Sequence, residues 1–156
     1  PYECIMTKIS TMDNLFKGQS TFILEMKELN NMFKMSEGHR CLLLCDELTA
    51  GTEIDSSIGI VSSALEYFLK QSSNFIFTTH LHGLSCIENV INNENLGIYH
   101  FNVTIPQGTN EVVYNRILAE GMGEENYGIE IAGALGLNQE FIKILSNLYY
   151  LKNFLK

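Results

Sequence analysis

The chain has 156 residues, 46% of them hydrophobic and 10% aromatic, and a net charge of −8. That length suits one domain with a real core, and the composition excludes a disordered chain. The acidic balance argues against this segment being the main contact with a nucleic-acid backbone, which relies on clustered Lys and Arg. No apolar run reaches the roughly 18–20 residues that span a bilayer. The four cysteines, Cys4, Cys41, Cys45 and Cys86, show no CxxC spacing. Neither a zinc site nor a disulfide framework is expected, and an intracellular, reducing setting follows. The opening Pro1-Tyr2-Glu3 has no Met and no basic n-region, so the chain is expected to lie within a longer protein.

In chain order, Ile5–Ile9 reads as a short strand and Ser10–Asn14 as a turn. A helix follows over about Ser20–Phe33, with Phe22, Met26, Leu29 and Phe33 on one face. The continuous apolar run Cys41-Leu42-Leu43-Leu44-Cys45 predicts a strand buried on both faces of a parallel sheet. A second helix, about Asp55–Lys70, would bury Ile54, Ile58, Val61, Leu65 and Phe68, and Asn74–Thr79 reads as another buried strand. Strand, helix, strand in this order is a crossover between parallel strands. After a helical or irregular stretch at Leu84–Val90, Gly97–Ile105 and Glu111–Leu118 flank Gln107-Gly108-Thr109-Asn110. They predict an antiparallel hairpin at the sheet edge. Gly128–Leu135 and Asn138–Leu155 read as two helices broken at Gly136, with Asn138 as N-cap and Leu137 and Ile142 placed for a hydrophobic staple. The sequence holds no repeat, and its two prolines, at 1 and 106, force no boundary.

Three places carry candidate chemistry. Asp46 and Glu47 close the apolar strand, at the carboxyl end where open α/β sheets bind ligands. There an Asp can hold Mg²⁺ beside a nucleotide, and an adjacent Glu can orient an attacking water. Taken alone, two carboxylates that simply enter solvent explain the pair as well. His80 follows the next strand, where an imidazole can reach a γ-phosphate, although a His there is more often structural. His80 and His82 lack a third metal ligand at usable spacing. In Leu15-Phe16-Lys17-Gly18-Gln19-Ser20-Thr21, Gly18 permits close backbone approach and Ser20 can cap the next helix. This is a phosphate-binding device or an ordinary N-cap.

Together, in this order and spacing, these elements resemble the ABC-type ATPase layout of signature helix, Walker B strand, following loop and switch histidine. Within that superfamily they are most similar to the MutS family. Gln19-Ser20-Thr21-Phe22-Ile23-Leu24-Glu25-Met26 resembles its signature helix, and Asp46-Glu47-Leu48 with Gly51-Thr52 its Walker B segment and following loop. Thr78-Thr79-His80 resembles its histidine loop. Tyr127-Gly128-Ile129 with Ala132 and Gly136 resembles the segment leading into its C-terminal helix-turn-helix. The resemblance runs from about Ile5 to Leu148. It implies a partial P-loop, ABC-type ATPase of α/β class, with a mostly parallel core sheet and an edge hairpin over residues 1–125. Residues 126–156 would be a helix-turn-helix dimerisation segment.

By the same resemblance, Asp46 would serve Mg²⁺, and Glu47 and His80 would be catalytic. Gly18, Ser20, Thr21 and Gly51 would contact ATP, with Ser20 acting on nucleotide held by the partner subunit. The implied partners are a second copy or related subunit, and mismatched or branched DNA through upstream domains. No membrane partner is implied.

Two features depart from the family pattern. The phosphate loop G-x-x-x-x-G-K-[ST] is absent; in the family it lies upstream, so a chain without it should bind ATP weakly or not at all. Thr49-Ala50 stands where many relatives have Gly-Arg, and Ser56, beside Asp55, where an Asp is usual, which points to a divergent branch. A non-catalytic dimerisation module derived from this fold, or another ABC-type ATPase, are the alternatives.

Overall fold

The computed structural model describes residues 1–9, 21–71, 73–104, 106, 113–123 and 127–154. The chain divides into two units, Pro1–Leu96 and Gly97–Lys156.

The first unit is built on three parallel strands, β1 (Cys4–Lys8), β2 (Cys41–Asp46) and β3 (Asn74–Thr78), with β2 in the middle. Parallel neighbours need a crossover, and helices α1 (Thr21–Ser36) and α2 (Ile54–Leu69) lie in the two connections. Register sets Lys8 opposite Cys45, and Asp46 opposite Thr78. A 3-10 turn (His82–Cys86) and the short helix α3 (Glu88–Ile91) complete the unit.

In β2, Cys41, Leu43 and Cys45 are buried while Leu42 and Leu44 are half-buried. Among the described residues, only one face of this strand is therefore fully covered. Phe68 of α2 is wholly inaccessible, its ring 5.2 Å from Phe33 and 6.0 Å from Phe77 by centroid. Burying such a side chain contributes on the order of 1.5–3 kcal/mol.

Three expectations shift. The buried stripe of α1 is Glu25, Leu29, Met32 and Ser36. Its steps are again four, three and four, and it shares Leu29 with the predicted face, whose Met26 and Phe33 are half-buried and packed against the core beside it. Ile54, expected in the α2 stripe, is 67% exposed at the helix start, whereas Val61, Leu65 and Phe68 are buried. Strand β3, expected to be buried, is an outer strand among the described residues: Phe75 and Phe77 pack on the core and Ile76 faces out. An outer strand with one covered face alternates, because successive side chains point to opposite faces.

The cysteines also differ from expectation. Parallel register brings Cys4 and Cys41 opposite each other with Cα atoms 4.9 Å apart, and the two are joined as a disulfide. That separation lies within the usual range for the bond. Cys45 is buried and free, and Cys86 is exposed and free.

In the second unit, β4 (Tyr99–Thr104) and β5 (Val113–Glu120) pair antiparallel. The hairpin, expected at the edge of the parallel sheet, makes a two-stranded sheet of its own among the described residues. Its predicted turn, Gln107–Asn110, lies outside them. The register slips between Phe101 and Val103, and across from there Arg116 takes a φ of 50°.

Helices α4 (Tyr127–Ala134) and α5 (Gln139–Phe154) follow. Gly136, at φ 75°, ends α4: its N–H donates to the Gly133 carbonyl and that of Leu137 to Ala132. This is the paired bonding of a Schellman stop, which needs a left-handed residue. Asn138 caps α5, its Oδ1 accepting from the N–H groups of Glu140 (2.9 Å) and Phe141 (3.3 Å).

Candidate active site

The sheet register places the candidate residues. Asp46 ends β2 directly opposite Thr78, whose Oγ1 donates to Asp46 Oδ1 at 2.5 Å. The next residue, Glu47, leaves the strand in the left-handed region, at φ 51°. Its N–H donates to the Thr78 carbonyl at 3.2 Å. Its carboxylate then turns to His80, whose Nδ1 lies 2.9 Å from both oxygens. Thr79 Oγ1 accepts from the Leu81 N–H at 3.1 Å, fixing the turn that presents His80 beyond β3. Asp46, Glu47 and His80 thus converge at the carboxyl ends of two adjacent strands.

Behind this edge lies a buried layer. Lys8, at the end of β1, is 5% exposed. Its ammonium donates to the carbonyls of Asp46 (3.3 Å) and, in a short bond, Glu47. Burial pushes the Cys45 thiol up to about 12, against the partly opposing positive charge of Lys8. Cys45 is therefore a neutral packing group at neutral pH, not a nucleophile.

The loop after Glu47 is tied to α1. Glu25, buried in the helix, accepts from the N–H groups of Ala50 (3.0 Å) and Gly51 (3.2 Å), one on each carboxylate oxygen. A side chain at Gly51 would sit 2.6 Å from Thr21 Oγ1 and 2.8 Å from the Phe22 backbone N. Glycine is required for this approach, so the loop sits directly on the first turn of α1. Of the other expected nucleotide contacts, Thr21 and Gly51 are thereby brought together, whereas Gly18 and Ser20 lie outside the described residues.

The sequence assigned no role to Lys8, Glu25 or Thr78, although Glu25 and Thr78 fall within the signature-helix and histidine-loop segments. A Lys closing an apolar strand and a Glu within the apolar spacing of α1 were the available signals.

The residues present suit Mg²⁺ in a limited sense. Among the described residues no three His, Cys, Asp or Glu side chains gather as a metal site. Asp46 offers one carboxylate, and Mg²⁺ in nucleotide sites takes one or two, completing its shell with phosphate oxygens and water. For ATP the fit is partial, since the sequence lacks the phosphate loop and its Lys. Among the described residues, no helix is long and apolar enough to cross a membrane.

An α/β unit whose central parallel strand ends in Asp-Glu, faced by a His from the neighbouring strand, defines the class. The family model for MutS domain V matches residues 1–150. A DNA mismatch repair protein mutS homolog of Acanthamoeba polyphaga mimivirus is 37% identical over 144 residues, 91% of this chain and 13% of that protein. The DNA mismatch repair protein MutS of Finegoldia magna is 33% identical over 140 residues, covering 89% of this chain and 16% of the relative. The mitochondrial DNA mismatch repair protein mutS homolog of Sarcophyton glaucum is 32% identical over 142 residues, with coverage of 90% and 14%. The chain belongs to the MutS family. It spans between 13% and 16% of the length of these relatives.

Proposed function

We propose that this chain is the Walker B and switch-histidine part of the ATPase of a MutS-type mismatch repair protein. The observation that carries the reading is the meeting of Asp46, Glu47 and His80 where β2 and β3 end, with His80 Nδ1 2.9 Å from the Glu47 carboxylate. Bound Mg²⁺ and ATP would supply the electrophilic γ-phosphate and neutralise its developing charge. Asp46 would hold the metal. Glu47 would orient and polarise the attacking water, and His80, positioned through Nδ1, would offer Nε2 to the γ-phosphate.

Gly18, Ser20 and Thr21 would meet nucleotide from the N-terminal side of α1, Ser20 serving the partner subunit's site. Gly51 would hold the neighbouring loop in place. Residues 126–156 form a dimerisation segment in this reading, supported by exposed Leu135, Phe141, Ile144 and Leu148 on α4 and α5 and the link between them. Mismatched or branched DNA would be bound by other domains, as the charge of −8 favours. A P-loop fold completed by a phosphate loop elsewhere in the protein follows from the same reading, as does membership of a divergent branch at Thr49-Ala50.

The test is Glu47→Gln in the full-length protein. Steady-state hydrolysis should fall by about 100-fold or more, the scale of losing a positioned catalytic group, while ATP still binds. Unchanged turnover would refute the assignment. The competing reading, a dimerisation module without catalysis, would be favoured by a wild-type protein that dimerises but hydrolyses no ATP.

A further inference from the structure

We infer that Lys8 is a positioning residue for Glu47, an inference that rests on the ATPase reading above. Glu47 is one of two described non-glycine residues at positive φ, and the other lies in the hairpin bulge. A residue with a side chain occupies that region only where its surroundings over-determine it. Three contacts do so here. The Glu47 N–H is held by the Thr78 carbonyl, its carboxylate meets His80, and its own carbonyl accepts from the Lys8 ammonium.

The first two contacts involve β3 and the turn after it. The third alone reaches across from β1, where Lys8 stands opposite Cys45 and its chain extends past the end of β2. The ammonium also bonds the Asp46 carbonyl at 3.3 Å, so it bridges the two peptide units between which the backbone reverses. A buried Lys charge is costly unless its donors are used, and both named acceptors are main-chain oxygens of the acidic pair. Lys8 therefore fixes the direction in which Glu47 leaves the strand. It does so without touching the reacting atoms.

The experiment compares wild type, Lys8→Met and Lys8→Arg in the full-length protein. Met keeps the length and removes the donors; Arg keeps the charge and the donors. Turnover and KM for ATP are measured together with binding of a fluorescent ATP analogue. Hydrogen exchange is followed in a peptide covering residues 44–49, against a control peptide in α2. Lys8→Met should lower kcat by about 10- to 100-fold, the cost of misplacing a catalytic group by roughly 1 Å, with KM and analogue affinity nearly unchanged. Exchange at residues 44–49 should quicken while α2 stays protected, and Lys8→Arg should recover most of the loss.

Wild-type kcat in Lys8→Met would overturn the inference. So would an Arg variant no better than Met, or exchange that quickens equally in α2, which marks a general fold defect. If the wild-type protein hydrolyses no ATP, the ATPase reading fails. The exchange arm then still decides whether Lys8 holds Glu47.

Discussion

The joint between α1 and the loop after Glu47 makes a quantitative prediction. Glu25 is 7% exposed and spends both carboxylate oxygens on the N–H groups of Ala50 and Gly51. Hydrogen bonds to a charged group contribute about 1.5–3 kcal/mol each. Ala50 and Gly51 are exposed residues, so their freed N–H groups recover some water, and the lower figure applies. Glu25→Ala should then destabilise by about 3 kcal/mol, and Glu25→Gln, which keeps one acceptor, by about 2 kcal/mol. Glu28, exposed on the same helix, is the control: Glu28→Ala removes the same charge and should change stability by no more than about 0.5 kcal/mol.

Gly51→Ala attacks the joint from the other side. Its methyl would meet the Phe22 backbone N at 2.8 Å, and backbone must move, at a cost of about 1–3 kcal/mol. Because both changes open one joint, the double variant should lose less than the sum, by about 1 kcal/mol. Equilibrium urea unfolding reads all five variants. With a slope near 2 kcal/mol/M, the Ala variant's midpoint should drop by about 1.5 M. Equal midpoints for Glu25→Ala and Glu28→Ala, or strict additivity with Gly51→Ala, would refute the joint.

Two further outcomes follow from the cysteines. The Cys45 thiol is raised from 9.0 to about 12 in the folded chain, so above pH 9 the unfolded chain loses its proton first. Stability is complete below that pH and falls as pH rises toward 12. Relative to Cys45→Ala, the wild type should lose about 2 kcal/mol between pH 8 and 10.5, and parallel pH curves would contradict the burial. The disulfide predicts a count: denatured without reductant, the chain should titrate only the Cys45 and Cys86 thiols, and after reduction all four cysteines. Four thiols before reduction would remove the Cys4–Cys41 bond.

The sequence made the acidic strand end legible because its signals are local. An unbroken apolar run followed by Asp-Glu needs only neighbouring residues to be read, and so do Thr78-Thr79-His80 and the Gly136–Asn138 break. The strand–helix–strand order likewise anticipated that β2 and β3 run parallel. Phase was less legible. The predicted face of α1 and the observed one share Leu29 and the same spacing, and apolarity favoured Phe22 and Met26 over Glu25. A carboxylate is an unfavourable core residue unless donors wait for it, and those donors lie 25 and 26 residues away.

The same reasoning explains why the support of the site was invisible while its tip was not. Lys8 reads as the polar end of a strand, since the carbonyls that justify its burial lie 38 and 39 residues on. Nothing in Asp46-Glu47 announces a left-handed backbone either, because Glu has no intrinsic taste for it. That conformation arises only when β1, β2 and β3 are assembled, with Lys8 on one side and Thr78 and His80 on the other. A strained catalytic candidate held by long-range bonds from both flanking strands is what a preorganised site requires. The residues that enforce it must then be sought in the burial of unlikely charges, not in the motif itself.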